Sequence, residues 1–198
     1  MQRRGPLAAG RADPGHQGPD RRRPAACRPA ELSGPGEVGP DALRPGELAA
    51  GDLGTADGPA LRVIGRARTQ WGPDDCPKNI GRARERGAPA TLEIDPVFAP
   101  ALRGLSVGQP VIVLYWMDRA RRDLLVQAPR HVDGPRGSFV LRSPNRPNTI
   151  SQSTVRITAL DADTGRVEVD ALDCYDGTPL IDIKPWLPSI DLPPGEPG

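Results

Sequence analysis

Three segments of the 198-residue chain concentrate side chains that hold ligands and prolines that fix the backbone around them. The first is Trp71-Gly-Pro-Asp-Asp-Cys-Pro-Lys-Asn79 and the second Arg142-Ser-Pro-Asn-Arg-Pro-Asn-Thr-Ile150. The third runs from Asp173 to Pro188 and contains Asp176-Gly-Thr-Pro179 and Ile181-Asp-Ile-Lys184. In the second segment, prolines restrict the backbone on either side of Arg146. Arg142, Arg146 and Asn148 are thereby expected to be rigid donors, suited to a carboxylate, a phosphate or a base edge. In the third, Asp opens a turn, Gly takes the open backbone angle and Pro stiffens the exit. Asp182 and Lys184, two residues apart, fall on one side of a short strand.

Several other chemistries lack their residues. There is no GxxxxGK[ST] phosphate loop and no GxGxxG between a strand and a helix. The glycine-rich stretch 51–58 has no strand before it, so a dinucleotide site or a doubly wound methyltransferase sheet is not expected. His131 is the single histidine after residue 60, and with the scattered Cys76 and Cys174 it cannot supply a usual zinc ligand set. A nucleophilic cysteine would need the fold to bring Cys76 or Cys174 to His131. Cys174 reads instead as a small buried apolar group.

The runs R-S-P-N-R-P-N-x-I-x-x-S (142–153) and D-G-T-P-L-I-D-I-K-P-W-L-P (176–188) resemble the TsaA/TrmO-like family. Ile64-Gly65, Cys-Pro-Lys-Asn (76–79), Glu93-Ile-Asp-Pro, Leu102-Arg-Gly-Leu105 and the strand Val111–Met117 agree in order. Members of that family are S-adenosylmethionine (SAM)-dependent methyltransferases that act on N6-threonylcarbamoyladenosine at position 37 of tRNA, beside the anticodon. The resemblance implies a small β-barrel, a homodimer and SAM held between barrel loops. By matching positions it implies cofactor contacts at Lys78, Asn79, Trp116, Met117, Arg142, Gln152, Asp176, Gly177, Thr178 and Pro179. Arg146, Asn148 and Lys184 are expected to face the RNA. Trp116 or Tyr115 could offer an aromatic face to the sulfonium, and Arg142 or Lys78 could pair with the methionine carboxylate. No general base is assigned. The family usually has Asn-Pro-Ile-Gly-Leu-Ser where this chain has Asn148-Thr-Ile-Ser-Gln-Ser153. Thr149 should therefore loosen a bend, Ser151 adds a Cβ, and Gln152 replaces an apolar contact. A SAM-binding barrel with a small-molecule acceptor, or a non-catalytic SAM- or RNA-binding module, are the alternatives.

The elements that must position these segments are mostly strands. Leu61–Ala67, Thr91–Asp95, Ser138–Arg142, Ser153–Leu160, Arg166–Leu172 and Ile181–Lys184 have strand character. Val111–Met117 is continuously apolar and β-branched, as a strand buried on both faces would be. Asp161-Ala-Asp-Thr-Gly165 reads as a hairpin loop. Helix is expected only as Pro96–Arg103, closed by Gly104, and a turn or two within Asp118–Leu125. The fold class is therefore all-β, a small closed barrel with one or two short helices.

Composition sets the boundaries. Gly 23 and Pro 25 together make roughly a quarter of the chain and are unevenly spread, denser in residues 1–59, where Phe, Tyr and Trp are absent. That stretch is expected to be a disordered tail, because it cannot bury enough apolar area to offset its ordering entropy. Arg21–Arg23 reads as part of that solvated tail. Residues 60–192 are the expected barrel and 193–198 a disordered end. A net charge of +1 gives no global case for nucleic-acid binding but allows a local basic patch. Three separated cysteines suit a reducing cytoplasm. No apolar run reaches the ~20 residues of a membrane span, and Arg3 and Arg4 have no apolar segment behind them, so no secretory signal is expected.

Overall fold

The computed structural model describes residues 43–51, 58 and 60–195. Most of the stretch read as tail, including Arg21–Arg23 and Cys27, and residues 196–198 lie outside the described residues. Nine strands are described: β1 (Leu48–Ala49), β2 (Gly65–Arg68), β3 (Ala90–Ile94), β4 (Pro110–Trp116), β5 (Leu124–Gln127), β6 (Arg136–Gly137), β7 (Ile150–Asp161), β8 (Arg166–Val169) and β9 (Pro179–Pro185). Two short helices, α1 (Ile80–Glu85) and α2 (Pro188–Asp191), and two 3-10 turns, Ala99–Leu102 and Ser138–Val140, complete the list.

Six strands close a barrel in the order β2-β3-β8-β7-β4-β9, with every pair antiparallel. The expected fold class is the observed one. β4 is central, paired with β7 from Val111↔Val155 to Trp116↔Ile150 and with β9 on its other edge. Val111, Val113 and Tyr115 of its apolar run point into the core, while Ile112, at 8% exposed, and the half-buried Leu114 and Trp116 lie on the other face. β7 alternates, sending Ser153, Val155 and Ile157 inward. Leu92, Val167, Val169, Leu172 and Leu180 complete the interior, each such side chain contributing about 1.5–3 kcal/mol by burial.

Closure rests on two glycines. Gly65 pairs with Ile94 of β3 and Leu180 of β9, so both ladders meet at one residue. Gly165 ends the β7–β8 hairpin with φ 72° and gives its carbonyl to the Ile94 amide at 2.8 Å. Asp161 Oδ1 holds the same turn by accepting the amides of Asp163 and Thr164, both at 3.1 Å.

Several local expectations are corrected. Ser138–Arg142 is no strand: Ser138 Oγ donates to the Leu124 carbonyl at 2.6 Å, and Phe139 and Val140 point outward, 83% and 75% exposed. The first barrel strand starts at Gly65, because Leu61 and Val63 are exposed and pair with nothing in the barrel. Asp118–Leu125 makes one turn and then enters β5, with no helix. Pro96–Arg103 does contain the short 3-10 turn, and Gly104 follows at φ 96°. Helix α1 was not expected, since only Ile80 and Ala83 of its residues pack inward.

A second sheet, β1-β5-β6, lies outside the barrel order. β1 falls within the stretch read as tail. Its hold on β5 includes Glu47, which accepts the Arg44 amide at 3.0 Å, the Arg44 guanidinium at 2.6 Å and the Ala128 amide at 3.2 Å. The Arg44 amide, then the Arg44 guanidinium, pull the Glu47 carboxyl down to about 2. A carboxyl depressed in the folded state stabilises the structure that holds it above its free pKa, and this contribution is lost as pH falls toward the depressed value. Most of it acts on the Arg44–Glu47 turn that presents β1, and the Ala128 amide carries the part that crosses to the β5 side. Between about pH 4.5 and 2, β1 should therefore loosen from β5. Protection factors for the Ala50 amide, bonded to the Asp123 carbonyl, should drop before those of Val113. Glu47→Gln should show the same loss at neutral pH. Equal protection of Ala50 in both proteins would refute the account.

Candidate functional site

The first motif segment is fixed by Trp71, whose indole N–H donates to the Leu172 carbonyl at 2.9 Å. Asp75 Oδ1 accepts the Gly72 amide at 2.7 Å and turns the chain toward Cys76. Asn79 then caps α1, its side-chain oxygen accepting the Arg82 amide at 2.9 Å. Arg84 pins that helix to the barrel through Asp170 and the Thr154 carbonyl, both at 2.7 Å. Lys78 and Asn79 are thus held at the start of a helix tied to β7 and β8.

The second segment is latched to the turn after β4. Asn145 Oδ1 accepts the Arg121 amide at 3.1 Å, the Arg146 amide donates to the Arg121 carbonyl at 3.0 Å, and Gln127 Nε2 donates to the Asn145 carbonyl at 2.7 Å. Arg142 donates to the Gln152 carbonyl at 2.9 Å. The third segment is tied to β2: the Gly177 amide donates to Ala67, and the Ala67 amide to Thr178. Thr178 Oγ1 donates to the Tyr175 carbonyl at 2.7 Å.

These segments border two neighbouring clefts. The larger, about 580 Å³, is lined by Lys78, Asn79 and Arg82 from the first segment and the start of α1, by Arg142, Pro144 and Asn145 from the second segment, and by Gln127 and His131. Its volume is in the range of small-molecule sites. The smaller, about 140 Å³, is lined by Met117, Asp118, Arg119, Pro144, Tyr175 and Thr178. Pro144 and Asn145 belong to both walls. A further hollow of about 470 Å³ draws its lining only from residues 74–86. It mixes Asp74, Asp75 and Glu85 with Lys78, Arg82 and Arg86, leaving no net charge to select a ligand.

Of the expected cofactor residues, the fold brings Lys78, Asn79 and Arg142 into the larger cleft and Met117 and Thr178 into the smaller. Gln152 is reached through its backbone carbonyl, with its side chain exposed. Asp176, Gly177 and Pro179 line neither cleft: Asp176 accepts the Thr69 amide at 3.2 Å, and Gly177 takes φ 78°, so they shape the turn. Trp116 also lines neither cleft. β4 alternation turns it outward, where Arg122 lies 5.1 Å from its ring centre. Tyr115 faces inward and is 2% exposed, so no ligand reaches its ring. The aromatic side chain on a cleft wall is Tyr175.

Among residues expected to face RNA, Asn148 is exposed, and Arg146 is half-buried with its guanidinium on the Leu141 carbonyl at 3.4 Å. Lys184 is paired with Asp182 at 2.6 Å and registers with Ile112. Five residues of strand separate Ile112 from Met117, roughly 16 Å at about 3.3 Å per residue. Lys184 is not brought to the clefts. Thr149 is 1% exposed, and its hydroxyl has no hydrogen-bond partner. That is the expected result of a hydroxyl at a position where the family usually carries proline, and it costs about 1–3 kcal/mol. The bend is nonetheless held, since the Met117 amide donates to the Thr149 carbonyl at 2.8 Å.

Behind the clefts lies a buried polar node. Asp173 Oδ1 accepts the Tyr115 hydroxyl at 2.9 Å and the Ser153 hydroxyl at 3.2 Å. Burial first, and the Asp173 charge second, push the Tyr115 phenol well above its ordinary value, so it remains a neutral donor. Burial likewise raises the thiols of Cys76 to about 11 and Cys174 to about 12. Neither is a thiolate near neutrality, which removes the chemical basis for a cysteine nucleophile. Among the described residues, no group of three or more His, Cys, Asp or Glu could hold a metal ion. None of the described helices is long and apolar enough to cross a membrane.

Sequence reasoning missed Arg82, Gln127, His131, Asn145 and Tyr175 as lining residues. Asn145 and Tyr175 sit within the motif segments and could have been marked from them. Gln127 and His131 arrive through the second sheet and its following loop, and nothing local announces them.

A family model described as the tRNA-methyltransferase O N-terminal domain matches residues 70–192. A probable S-adenosyl-L-methionine-binding protein of Archaeoglobus fulgidus is 38% identical over 135 residues, covering 66% of this chain and 35% of that protein. A second S-adenosyl-L-methionine-binding protein of the same organism is 39% identical over 131 residues, covering 66% of this chain and 91% of that one. The crystal structure of TrmO from Pseudomonas aeruginosa superposes with a TM-score of 0.54 at 27% identity, covering 71% of this chain and 61% of that chain. The chain therefore spans about a third of the first relative and less than two thirds of the solved one.

Proposed function

Because the chain belongs to the tRNA-methyltransferase O N-terminal domain family, we propose that it is a SAM-dependent methyltransferase acting on N6 of threonylcarbamoyladenosine at position 37 of tRNA. The observation that carries this reading is the meeting of Lys78 and Asn79 with Arg142 across one cleft, from motif segments far apart in the chain. The relatives named as binding S-adenosyl-L-methionine support the cofactor, and the family's description as a tRNA-methyltransferase domain supports the substrate class.

The residues present fit the cofactor. Lys78 has no partner among the described residues and lines the same cleft as Arg142, so the two offer charge to a carboxylate. Asn79 keeps its amide N–H₂ free of the cap, which uses its oxygen alone. Tyr175 and Met117 line the smaller cleft with Asp118, whose carboxylate suits a cation, while the Arg119 guanidinium lies 5.8 Å from the Tyr175 ring centre and would have to share that face with a sulfonium. When bound, SAM supplies an electrophilic methyl group. The protein's own contribution is then to hold the accepting nitrogen in line with that group, which removes orientational freedom from the barrier. The latches at Asn145 and Arg121 serve this by fixing the wall common to both clefts.

The same reading makes the assembly a homodimer, the RNA contact the anticodon loop and the setting the cytoplasm, where the unpaired Cys76 and Cys174 would stay reduced. The test uses labelled SAM and two tRNA pools, one carrying threonylcarbamoyladenosine and one lacking it. Label should enter only the modified pool. SAM binding without label in either pool would overturn the substrate and leave a binding module or a small-molecule acceptor. Sedimentation of the purified chain tests the dimer.

A further inference from the structure

We propose that Phe139 is a stacking platform for an unpaired RNA base at the rim of the larger cleft, an inference that rests on the tRNA reading above. Phe139 is 83% exposed and Val140 75%, the first and third most exposed of the large apolar side chains described. An aromatic ring does not reach that exposure by default, since burying it would contribute to stability. Its backbone is nevertheless well fixed. Ser138, just before it, is 3% exposed, with its hydroxyl bonded to the Leu124 carbonyl at 2.6 Å and accepting from Gln127 at 2.9 Å. Leu141, two residues after it, lines the larger cleft, as does Gln127. The ring therefore projects from a rigid turn anchored to the cleft wall on both sides.

The surroundings decide the occupant. The cleft is lined by Arg44, Lys78, Arg82, His131 and Arg142, and by no carboxylate. Arg44 and Arg82 are balanced by Glu47 and Glu85, which leaves Lys78 and Arg142 as cations with no acidic partner among the described residues. Arg136, exposed on β6, donates to its neighbour's carbonyl and has no carboxylate partner among the described residues, which adds a third such charge. Asp133, the nearest carboxylate in sequence, does not line the cleft. An exposed aromatic ring three residues from Arg136 on one side and from Arg142 on the other matches single-stranded nucleic acid, whose bases stack and whose phosphates pair with Lys and Arg. An apolar protein partner would meet two exposed side chains ringed by charge, well short of the patch such contacts require.

The probe is a fluorescent anticodon stem-loop RNA, titrated with the full chain at several salt concentrations, with SAM binding measured calorimetrically in parallel. Phe139→Ala should weaken RNA binding by about 5- to 100-fold, the span of one stacked base, with its salt slope and SAM affinity unchanged. Phe139→Trp should restore binding, because any aromatic face stacks. Arg136→Ala should lower the salt slope by about one. Wild-type-like RNA affinity in Phe139→Ala, or a loss accompanied by dissociation of a dimer in sedimentation, overturns the proposal; the latter makes the turn an interface between copies. Failure of the wild-type chain to bind the stem-loop at all would instead bring down the tRNA reading on which this one stands.

Discussion

Gly65→Ala is expected to prevent the barrel from closing, costing more than about 4 kcal/mol, the exceptional end of single substitutions. A Cβ at Gly65 would overlap the Glu93 carbonyl oxygen and lie 2.9 Å from both the Glu93 carbonyl carbon and the Ile94 Cα. All three are backbone atoms of the strand that Gly65 pairs with, so no rotamer change relieves the contact. Retreat on the β3 side would pull against β9, because the same residue registers with Leu180. Gly108→Ala provides the control. Gly108 has φ 88° with nothing within 4 Å of a new Cβ, so it carries backbone strain without collision and should cost about 1–2 kcal/mol. Urea unfolding of the two variants separates the causes. Equal losses would show that closure does not hinge on Gly65.

The second large effect is functional. Arg142→Ala should weaken SAM binding by roughly 10- to 100-fold, the value of about one charge-assisted hydrogen bond to a carboxylate. Arg142 lines the larger cleft with Lys78, while one arm of its fork is engaged by the Gln152 carbonyl at 2.9 Å. That arm fixes the guanidinium, leaving the rest of the fork for a ligand. Arg142→Lys keeps the charge but loses the fork, and its affinity should fall between those of wild type and alanine. Calorimetry with SAM checks both. An alanine variant that binds SAM as well as wild type would remove Arg142 from the cofactor site and leave the cleft's cations to RNA.

Legibility of the fold followed how local each signal is. The continuous run of β4 and the alternation of β7 and β8 were readable because burial on two faces or on one writes itself directly into residue order. The closed barrel followed from many strands with little helix. Ser138–Arg142 misled because Phe139 and Val140 have strand-forming types, while the deciding bonds of Ser138 go to Leu124 and Gln127, distant in sequence. Helix α1 was hidden because it stands on the Asn79 cap and on Arg84's hold of the barrel, with almost no apolar period. At the site, Lys78, Asn79 and Arg142 were legible through their motifs. Trp116 was misplaced because adjacent aromatics on a strand cannot share a face: Tyr115 took the interior and Trp116 the exterior. Gln127 and His131 reach the cleft through the second sheet, and nothing in their own neighbourhoods records that pairing.

Pro144 and Asn145 form part of both cleft walls, and this gives the two clefts a common thermodynamic variable. A ligand that orders this wall in one cleft reduces the conformational entropy that a ligand in the other must still remove. The affinities are then coupled, and by linkage each ligand tightens the other by the same factor. The Asn145 contacts to Arg121 and Gln127 set how large that factor is, because a wall already held stiff leaves little entropy to share. Loosening those contacts would weaken each ligand alone while raising their cooperativity.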